Sequence, residues 1–409
     1  MENTDPASSS GRRGPLAGVR VLDLSNMGMG PYATSLMAEL GAEVVKIEPP
    51  EGDPIRGVGP MRHSGMASTF LLANRNKRSL VLDLKRPEGQ AVVHKLVESF
   101  DVLFFNMRPP AMARLALDYE RVAAINPRIV YCGAYGFRQD GPYAEKPAYD
   151  DMIQGLTALP YLEGRLTGTP RYVPLAIADQ TVGVFAAYAV LAALVSRAST
   201  GRGQAVEVPM FETMAQFALL CHMCGQMFDP PLGPAGFVRH LTPHRRPFPT
   251  TDGHISLVPY NDAQWFRLFD VIGKPELKTD PRFCNITDRT NHIGELYQII
   301  AESLATRATA TWMADFERAD IPAMPMHTLD SLLADPHLVA TGFLGWETHP
   351  TEGRVRALAP SSRWMGTPPA SQCPAPRLGE HSVEVLREAG FPDDAIATLA
   401  ASGVLRTAS

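Results

Sequence analysis

Apolar and polar positions in the first part of the chain switch between the period of a strand and the period of a helix. Residues 19–24 and 42–47 are short apolar runs, and residues 32–40 have the spacing of an amphipathic helix that ends at Gly41. Glycine often follows the last residue of a helix, because it adopts positive φ without steric cost. These segments therefore predict a strand, a helix and a second strand.

The same alternation continues to residue 132. It predicts strands over residues 79–84, 102–105 and 129–132, and helices over residues 87–99 and 119–125. Strands that are separated by helices pair in parallel, and the helices cover the faces of the sheet. The fold class that follows is α/β with a parallel sheet.

A long segment that is almost free of charge comes next. Residues 172–179 predict a short strand that ends near Asp179, and residues 181–196 predict a helix. A further helix is predicted over residues 211–227. Residues 229–249 are rich in Pro, Gly, His and Arg, which is typical of a linker or loop. The segment after it predicts a strand over 254–258 and helices over 265–272, 294–304 and 311–319.

These patterns divide the chain into five parts. We predict a disordered tail over 1–15, the first part of a large domain over 16–228, a linker or loop over 229–250, a small domain over 251–325, and a return segment over 326–409 that completes the large domain. The tail is polar and lacks the apolar segment that is typical of a signal peptide.

Composition narrows the classes of function. The 409 residues are 45% apolar and 20% charged, which suits two domains with sizeable cores. A net charge of -5 argues against nucleic acid or an anionic membrane as a partner, because both need a strong positive field. Five scattered cysteines indicate reduced thiols and a cytoplasmic location. Residues 181–195 are too few to span a bilayer, so we interpret them as part of a core helix.

Two short motifs are weak signals for cofactor or metal chemistry. Residues 28–33 have the glycine spacing of a dinucleotide-binding turn, but Pro31 removes an N–H group that a pyrophosphate would need. Cys221 and Cys224 have the spacing of a zinc or redox pair, yet no second pair accompanies them and they lie in an apolar helical pattern. We therefore predict core packing for the cysteines, and neither NAD nor a metal.

Asp179 is the single acid at the start of the helix predicted over residues 181–196. An ionised side chain there accepts backbone N–H hydrogen bonds and interacts with the positive end of the helix dipole, so we expect a carboxylate at neutral pH. Such a carboxylate suits a nucleophile. The alternative is a structural role, because Asp is among the best residues for capping a helix.

A series of short motifs is specific through its order, although no single motif is. The motifs are residues 16–24, 30–31, 40–48, 52–56, 74–85, 106–109, 136–142, 149–154, 178–179, 200–204, 251–253 and 280–283. In this order they resemble the class III CoA-transferases, the family of formyl-CoA:oxalate and carnitine CoA-transferases together with the α-methylacyl-CoA racemases. The resemblance implies a Rossmann-like large domain, a smaller α/β domain and an interlocked homodimer.

The resemblance also implies an acyl-CoA:carboxylate CoA-transferase with Asp179 as the nucleophile. Its carboxylate would form a mixed anhydride with the acyl group and then an aspartyl-CoA thioester. CoA is then a cosubstrate, the partners are acyl-CoA and carboxylic acids, and no permanently bound cofactor or metal is expected.

Three hypotheses compete with a transferase. The first is a racemase or epimerase of the same family, which needs a His–Asp pair where this chain has Tyr149 and Asp150. A tyrosine would be a poor base there near neutral pH, which favours the transferase. The second is an NAD-dependent oxidoreductase that uses the glycine turn at residues 28–33, and the third is a CoA-binding protein without catalytic activity.

The resemblance also implies a CoA site and a substrate pocket, at the positions of this chain that match those of the family. The CoA positions are Met27, Gly28, Met29, Leu82, Lys85, Asn106, Met107, Arg114, Tyr135 and Met210. The predicted pocket residues are Val58, Phe137 and Arg138, and they favour an acyl group larger or more apolar than oxalate. Tyr135 occupies a position that is often basic in the family, which leaves the cationic partner of the substrate open. The loop at residues 233–236 is either a lid that excludes water or a plain linker.

Overall fold

The computed structural model describes residues 13–369 and 373–408. Within these ranges the chain forms two compact units. The first comprises residues up to 156, residues 174–215 and residues from 338 onwards, and the second comprises residues 157–173 and 216–337. The second unit thus includes the predicted small domain, 251–325, together with neighbouring residues that the sequence assigned to other parts. Of the predicted tail, residues 1–12 lie outside the described residues.

The described part of the chain contains twelve strands. They are β1 Arg20–Asp23, β2 Glu43–Glu48, β3 Lys77–Leu82, β4 Val102–Phe105, β5 Val130–Tyr135, β6 Gln204–Pro209, β7 Phe248–Pro249, β8 His254–Leu257, β9 Ala323–Pro325, β10 Leu344–His349, β11 Gly353–Leu358 and β12 Leu405–Arg406.

Helices connect most of these strands. They are α1 Met29–Glu39, α2 Ser68–Ala73, α3 Pro87–Val97, α4 Pro109–Arg114, α5 Tyr119–Ile125, α6 Asp150–Leu156, α7 Leu159–Thr167, α8 Ile177–Thr200, α9 Met210–His222, α10 Asp262–Val271, α11 Ile286–Asn291, α12 Ile293–Leu304, α13 Thr309–Arg318, α14 Leu329–Leu332, α15 Pro336–Ala340, α16 Ser382–Glu388 and α17 Asp393–Ala401. Short 3-10 helices occupy Pro54–Gly57, Cys224–Met227 and Pro275–Lys278.

One sheet dominates the first unit, and its strands have the order β12-β3-β2-β1-β4-β5-β6. All neighbouring strands are parallel except β12 and β3, which are antiparallel. The order of β1 to β6 is that of a doubly wound Rossmann sheet, in which ligands bind beyond the carboxyl ends of the strands where the strand order reverses. The predicted α/β class with a large, mainly parallel sheet is confirmed. The reversal lies between β1 and β4.

Helices cover the sheet and bury the side chains of its central strands. All four residues of β4 are buried, and Leu22 of β1 and Leu103 of β4 are fully buried in the same apolar core. Strands that are buried on both faces appear as continuous apolar runs, which is why the sequence located them.

The sequence predictions around α8 are wrong in two respects. Residues 171–176 form no strand, and α8 begins at Ile177, so that Asp179 lies within its first turn. With 24 residues and a mean hydropathy of 1.7 over its most apolar 18 residues, α8 is also long and apolar enough to cross a bilayer, contrary to the predicted length. The helix packs against α1, where a Cβ atom on Gly183 would lie 2.9 Å from the carbonyl oxygen of Met29. The prediction of a buried core helix holds for this face only, because 33% of the most apolar 18-residue window of α8 is buried.

Two other predicted segments also differ from the structure. Helix α9 ends at His222 and a short 3-10 helix follows, so the helix predicted over 211–227 is interrupted. Residues 323–376, the long connection that we expected to supply the reach for interlocked subunits, contain β9, β10 and β11.

The second unit is built around a small antiparallel sheet of β7, β8 and β9. Its core includes Trp265 and Phe269 of α10, Ile300 of α12 and Phe316 of α13, which are all buried. The strand and helices predicted between residues 254 and 319 are present, with ends shifted by at most three residues.

Candidate functional site

The loop between β1 and α1 lies at the carboxyl edge of the sheet and is held by side chains from two other segments. Asn106, which follows β4, accepts a hydrogen bond from the backbone N–H of Asn26 at 3.1 Å and donates one to its carbonyl oxygen at 2.8 Å. Oδ1 of Asp53 accepts the N–H of Met27 at 3.0 Å. Met27 has a φ of 63°, which a residue with a side chain keeps only when its surroundings impose it. The loop is therefore fixed where the strand order reverses.

Buried ion pairs at the same edge of the sheet support this loop. Nζ of Lys46 lies 2.8 Å from Oδ2 of Asp53 and donates to the carbonyl oxygen of Ser25 at 2.8 Å. Lys77 pairs with Asp23 at 3.1 Å. Burial lowers the pKa of Lys77 to about 8 although Asp23 opposes the shift. Breaking such a pair leaves an unpaired buried charge, so these residues fix the loop strongly. These residues were not predicted as a network from the sequence.

Asp179 lies directly against Gly28, the residue that precedes α1. A Cβ atom on Gly28 would be 2.5 Å from Oδ2 of Asp179. Four residues further along α8, a Cβ atom on Gly183 would contact the carbonyl oxygen of Met29. The two glycines let α8 approach α1 closely enough to place the Asp179 carboxylate beside the loop.

The alternative role of Asp179, that of a helix cap, is wrong, because its side chain makes no capping hydrogen bond at the start of α8. Asp150, at the start of α6, accepts the backbone N–H of Asp179 through Oδ2 at 2.9 Å, and Gln154 donates to the other carboxylate oxygen of Asp150 at 2.6 Å. Asp150 therefore caps the first turn of α8. From the sequence, Asp150 and Gln154 were predicted only as motif positions, although an acid at a helix start with an amide four residues on is a recognisable pattern.

The sequence predicted that the start of a helix would stabilise the charge of Asp179, but its surroundings in the structure disfavour that charge. Burial, and then the charge of Asp150, raise the pKa of Asp179 from 3.8 to about 6. At pH 7 the group is still mainly ionised, but the fold does not stabilise its charge. A carboxylate with a raised pKa is more basic, and so more nucleophilic, than an ordinary one.

A cleft of about 260 Å³ lies beyond the carboxyl ends of β1, β2 and β3. Three of the predicted CoA residues, Leu82, Lys85 and Met107, line it. Asn26 also lines the cleft, so the loop that contacts Asp179 borders the cleft as well. The wall is largely apolar, and Lys85 supplies a primary ammonium group that can pair with a phosphate.

The remaining predicted CoA residues lie elsewhere in the first unit. Met27, Gly28 and Asn106 belong to the loop and its support, whereas Met29 and Met210 are buried, with 5% and 3% of their surface exposed. Their roles stay predictions.

Two more of the predicted CoA positions are less suited to ligand contact in this structure. Arg114 is exposed at the end of α4. Tyr135 is buried, and burial followed by the neighbouring Glu207 raises its pKa far above the usual tyrosine value. A neutral, buried phenol of this kind contributes to packing, and its predicted contact with CoA stays a prediction.

The predicted substrate-pocket residues occupy different environments. Val58 is 45% exposed after the 3-10 turn at Pro54–Gly57. Phe137 is buried, and its ring lies 5.4 Å from that of Tyr143. Arg138 is exposed and pairs with Asp140 at 2.6 Å. A pocket formed by these residues stays a prediction.

The described residues contain no group of three or more His, Cys, Asp and Glu side chains that is arranged to hold a metal ion. Cys221 and Cys224 are free thiols.

Comparison with known proteins gives consistent matches over almost the whole chain. The pattern of CoA-transferase family III matches residues 16–382. The succinate–glutarate CoA-transferase of Agrobacterium fabrum is 32% identical over 388 residues, which cover 92% of this chain and 96% of that protein. The succinyl-CoA–D-citramalate CoA-transferase of Chloroflexus aurantiacus is 32% identical and covers 96% of this chain and 98% of its own length.

Solved structures agree with the sequence matches. A crystal structure of a CAIB/BAIF family protein from Brucella suis is 30% identical and has a TM-score of 0.78, with 92% of this chain and 100% of that chain covered. The chain therefore belongs to CoA-transferase family III, and it is an acyl-CoA transferase with CoA as a cosubstrate.

Proposed function

We propose that the protein moves CoA from an acyl-CoA donor to a carboxylic acid acceptor through covalent intermediates on Asp179. One observation carries the proposal. The half-buried carboxylate of Asp179, with its raised pKa, lies against Gly28, and the loop that ends at Gly28 borders the cleft lined by Lys85. The proposed nucleophile and the proposed CoA site thus lie at the two sides of one short loop.

The reaction starts with attack of a carboxylate oxygen of Asp179 on the thioester carbonyl. The C–S bond breaks, CoA leaves as a thiolate, and a mixed anhydride remains on the enzyme. The thiolate then attacks the aspartyl carbonyl of the anhydride. This step releases the acid of the donor as a carboxylate and leaves an aspartyl-CoA thioester.

The acceptor then reverses these two steps. Its carboxylate attacks the aspartyl thioester, which gives a second anhydride and CoA thiolate, and the thiolate attacks the acceptor carbonyl. The products are the new acyl-CoA and the free carboxylate of Asp179. The thioester energy is conserved throughout, so the balance needs no ATP.

The direct test is to isolate the covalent enzyme. Incubation with acyl-CoA alone should give an adduct on the peptide that contains Asp179, and hydroxylamine should release it. Asp179→Ala should lose the adduct and lower transfer by at least about a thousandfold, because it removes the nucleophile. Asp151→Ala, which changes an exposed neighbour of Asp150, is the matched control. Transfer by Asp179→Ala within tenfold of wild type, without an adduct in the parent enzyme, would move the assignment to Asp150.

We propose dicarboxylic acids as the substrates, with succinyl-CoA as donor. The support is that two similar proteins are named for succinate with glutarate and for succinyl-CoA with D-citramalate. A panel of succinyl-, acetyl- and aromatic acyl-CoA donors against mono- and dicarboxylic acceptors should show the fastest exchange for dicarboxylates. Measuring α-proton exchange in the same incubations tests the racemase hypothesis, and Tyr149, at 70% exposure, offers that reaction no buried base.

We also propose that the protein is an obligate homodimer with interlocked subunits. An exposed apolar stripe on α8 supports a second copy. Val184, Tyr188 and Val195 are 47%, 67% and 73% exposed, and their spacing of four and seven residues puts them on one face of the helix. Analytical centrifugation after dilution to nanomolar concentration tests this proposal, and a folded, active monomer contradicts it.

A further inference from the structure

A second cavity lies wholly within the second unit and has a volume of about 420 Å³. We call it the arginine pocket. It is lined by Arg239, His240, Arg245, Arg246, Pro247, Phe248, Ser256, Leu257, Val258 and Tyr297. A cavity of this size falls within the range of small-molecule sites.

The charge of the arginine pocket is strongly positive. Three arginines line it and no Asp or Glu does. Residues 230–251 contain no acidic residue at all, although the whole chain has a net charge of -5. The positive charge is therefore concentrated locally, and the sequence around the cavity supplies no internal counter-charge.

The guanidinium groups of the arginine pocket are also available to a ligand. Among the described residues, the side chains of Arg245 and Arg246 make no hydrogen bond or ion pair, and both residues are exposed. Arg239 donates from Nε to the hydroxyl oxygen of Tyr297 at 3.3 Å, which leaves its two terminal nitrogens for other partners. A planar guanidinium binds a carboxylate through two parallel hydrogen bonds.

His240 indicates that these charges act on the cavity. Burial, and then the charges of Arg245, His222 and Arg239, lower the pKa of His240. The ring is therefore neutral near pH 7, and the arginines carry the positive charge of the pocket. A bound anion would oppose this effect and make protonation of His240 easier.

One wall of the arginine pocket is apolar. Phe248 and Leu257 are buried with 3% and 4% exposure, and Val258 lies beside Leu257 in the chain. The cavity thus combines two or more anion-binding groups with a surface that suits methylene groups. A simple inorganic anion would use only the first of these features, whereas an organic acid with two carboxylates and a carbon chain would use both.

We infer that the arginine pocket binds a dicarboxylate anion with a short carbon chain. The choice of a dicarboxylate over another organic dianion rests on the proposed function. The carboxylates pair with Arg245 and Arg246, and the carbon chain lies on the wall formed by Phe248 and Leu257.

Calorimetric titration of the full chain with glutarate tests the inference. The double variant Arg245→Gln/Arg246→Gln should bind glutarate at least about tenfold more weakly, because it removes the two charged donors. Arg318→Gln, which removes an exposed arginine of the same unit outside the pocket, should bind like wild type. Pentanoate, with one carboxylate, should bind at least about tenfold more weakly than glutarate to wild type. Thermal melts should show that the double variant remains folded.

Titration with CoA in parallel distinguishes a carboxylate from a phosphate as the ligand. If the folded double variant binds glutarate as wild type does, the inference is overturned. If the double variant also loses CoA binding while it keeps glutarate binding, the ligand of the pocket is a phosphate and the inference is again overturned. The proposed function is tested separately, by the transfer assay. It fails if transfer does not depend on Asp179, whether or not glutarate binds to the arginine pocket. Transfer that depends on Asp179, with glutarate binding unaffected by the double variant, overturns this inference alone.

Discussion

The backbone N–H of Asp179 donates a hydrogen bond of 2.9 Å to Oδ2 of Asp150. Asp150 thereby satisfies a free donor in the first turn of α8, and Gln154 holds it in place through a 2.6 Å hydrogen bond to Oδ1. The same carboxylate adds a negative charge beside the Asp179 side chain and raises its pKa further after burial. One acid caps the helix, and the other is the proposed nucleophile.

Asp150→Asn should move the pH profile of transfer toward lower pH. The variant keeps an oxygen that can accept the N–H of Asp179 but removes the like charge, so the pKa of Asp179 falls from about 6. The shift should be partial, because burial is the larger cause. In wild type the rate should decline as pH falls through about 6, where Asp179, the proposed nucleophile, becomes protonated.

The measurement is kcat/KM for acyl-CoA between pH 4.5 and 8.5. Asp151→Asn is the control, because it makes the same chemical change at the exposed neighbouring residue of α6. If kcat/KM declines at the same acidic pH in Asp150→Asn and in wild type, Asp150 does not influence the carboxylate of Asp179.

Gly28→Ala should impair transfer more than it impairs folding. Gly28 has φ −92° and ψ −67°, which alanine can adopt, so the backbone itself is not strained. The new Cβ atom would lie 2.5 Å from Oδ2 of Asp179, and the carboxylate would have to move. We expect transfer to fall by about a hundredfold, because small displacements of a reacting group are costly, and stability to fall by about 1–3 kcal/mol.

Gly57→Ala is the matched control for this substitution, because a Cβ atom there would meet nothing within 4 Å. Steady-state rates and urea unfolding of both variants separate the two effects. Equal losses of transfer in Gly28→Ala and Gly57→Ala would contradict a specific role for the space beside Asp179.

The sheet was predictable from sequence because its inner strands are continuous apolar runs bounded by helices. The strand predicted over 102–105 coincides with β4, and the helix over 119–125 coincides with α5. Near Asp179 the same approach failed. The cap of α8 comes from Asp150, 29 residues earlier in the chain, and a local pattern carries no information about such a partner.

The pKa of Asp179 could not be predicted for a related reason. An acid at a helix start is normally stabilised as an anion, but here burial against α1 and the charge of Asp150 both act in the opposite direction. Both effects depend on tertiary contacts. By contrast, Leu82 and Lys85 line the cleft because they lie at and just beyond the carboxyl end of β3. The sequence predicted both ends of this strand to within two residues.

Lys85→Ala should weaken the use of acyl-CoA without a comparable loss of kcat. Lys85 lines the cleft, and its ammonium group is expected to pair with a phosphate of CoA. We expect KM for acyl-CoA to rise about tenfold and its dependence on salt to decrease, since one screened charge interaction is removed.

Lys95→Ala is the control, because Lys95 lies in α3, pairs with Glu98 at 2.6 Å and is half exposed. Both substitutions lower the net charge by one, so a general electrostatic effect would change KM equally. Initial rates at several salt concentrations distinguish the cases, and equal KM values for the two variants would remove Lys85 from the CoA site.

Asp179→Asn should abolish transfer and stabilise the protein above pH 6. The folded state raises the pKa of Asp179 from 3.8 to about 6, so ionisation of this group opposes folding. The stability associated with the protonated form is present below about pH 3.8 and is lost as pH rises to about 6. Asparagine has nearly the same shape and no charge, and it avoids this loss.

Urea unfolding of wild type and Asp179→Asn between pH 3.5 and 8 measures the effect. The free energies of unfolding of the two proteins should be equal at the acid end of this range and should separate as pH rises. Above pH 6 the variant should be more stable than wild type by about 1–2 kcal/mol. If Asp179 instead capped α8 as an anion, the variant would be less stable than wild type at neutral pH, by about 1 kcal/mol. The sign of the difference at pH 8 therefore separates an Asp179 carboxylate whose charge the fold disfavours from one that stabilises α8 as a helix cap.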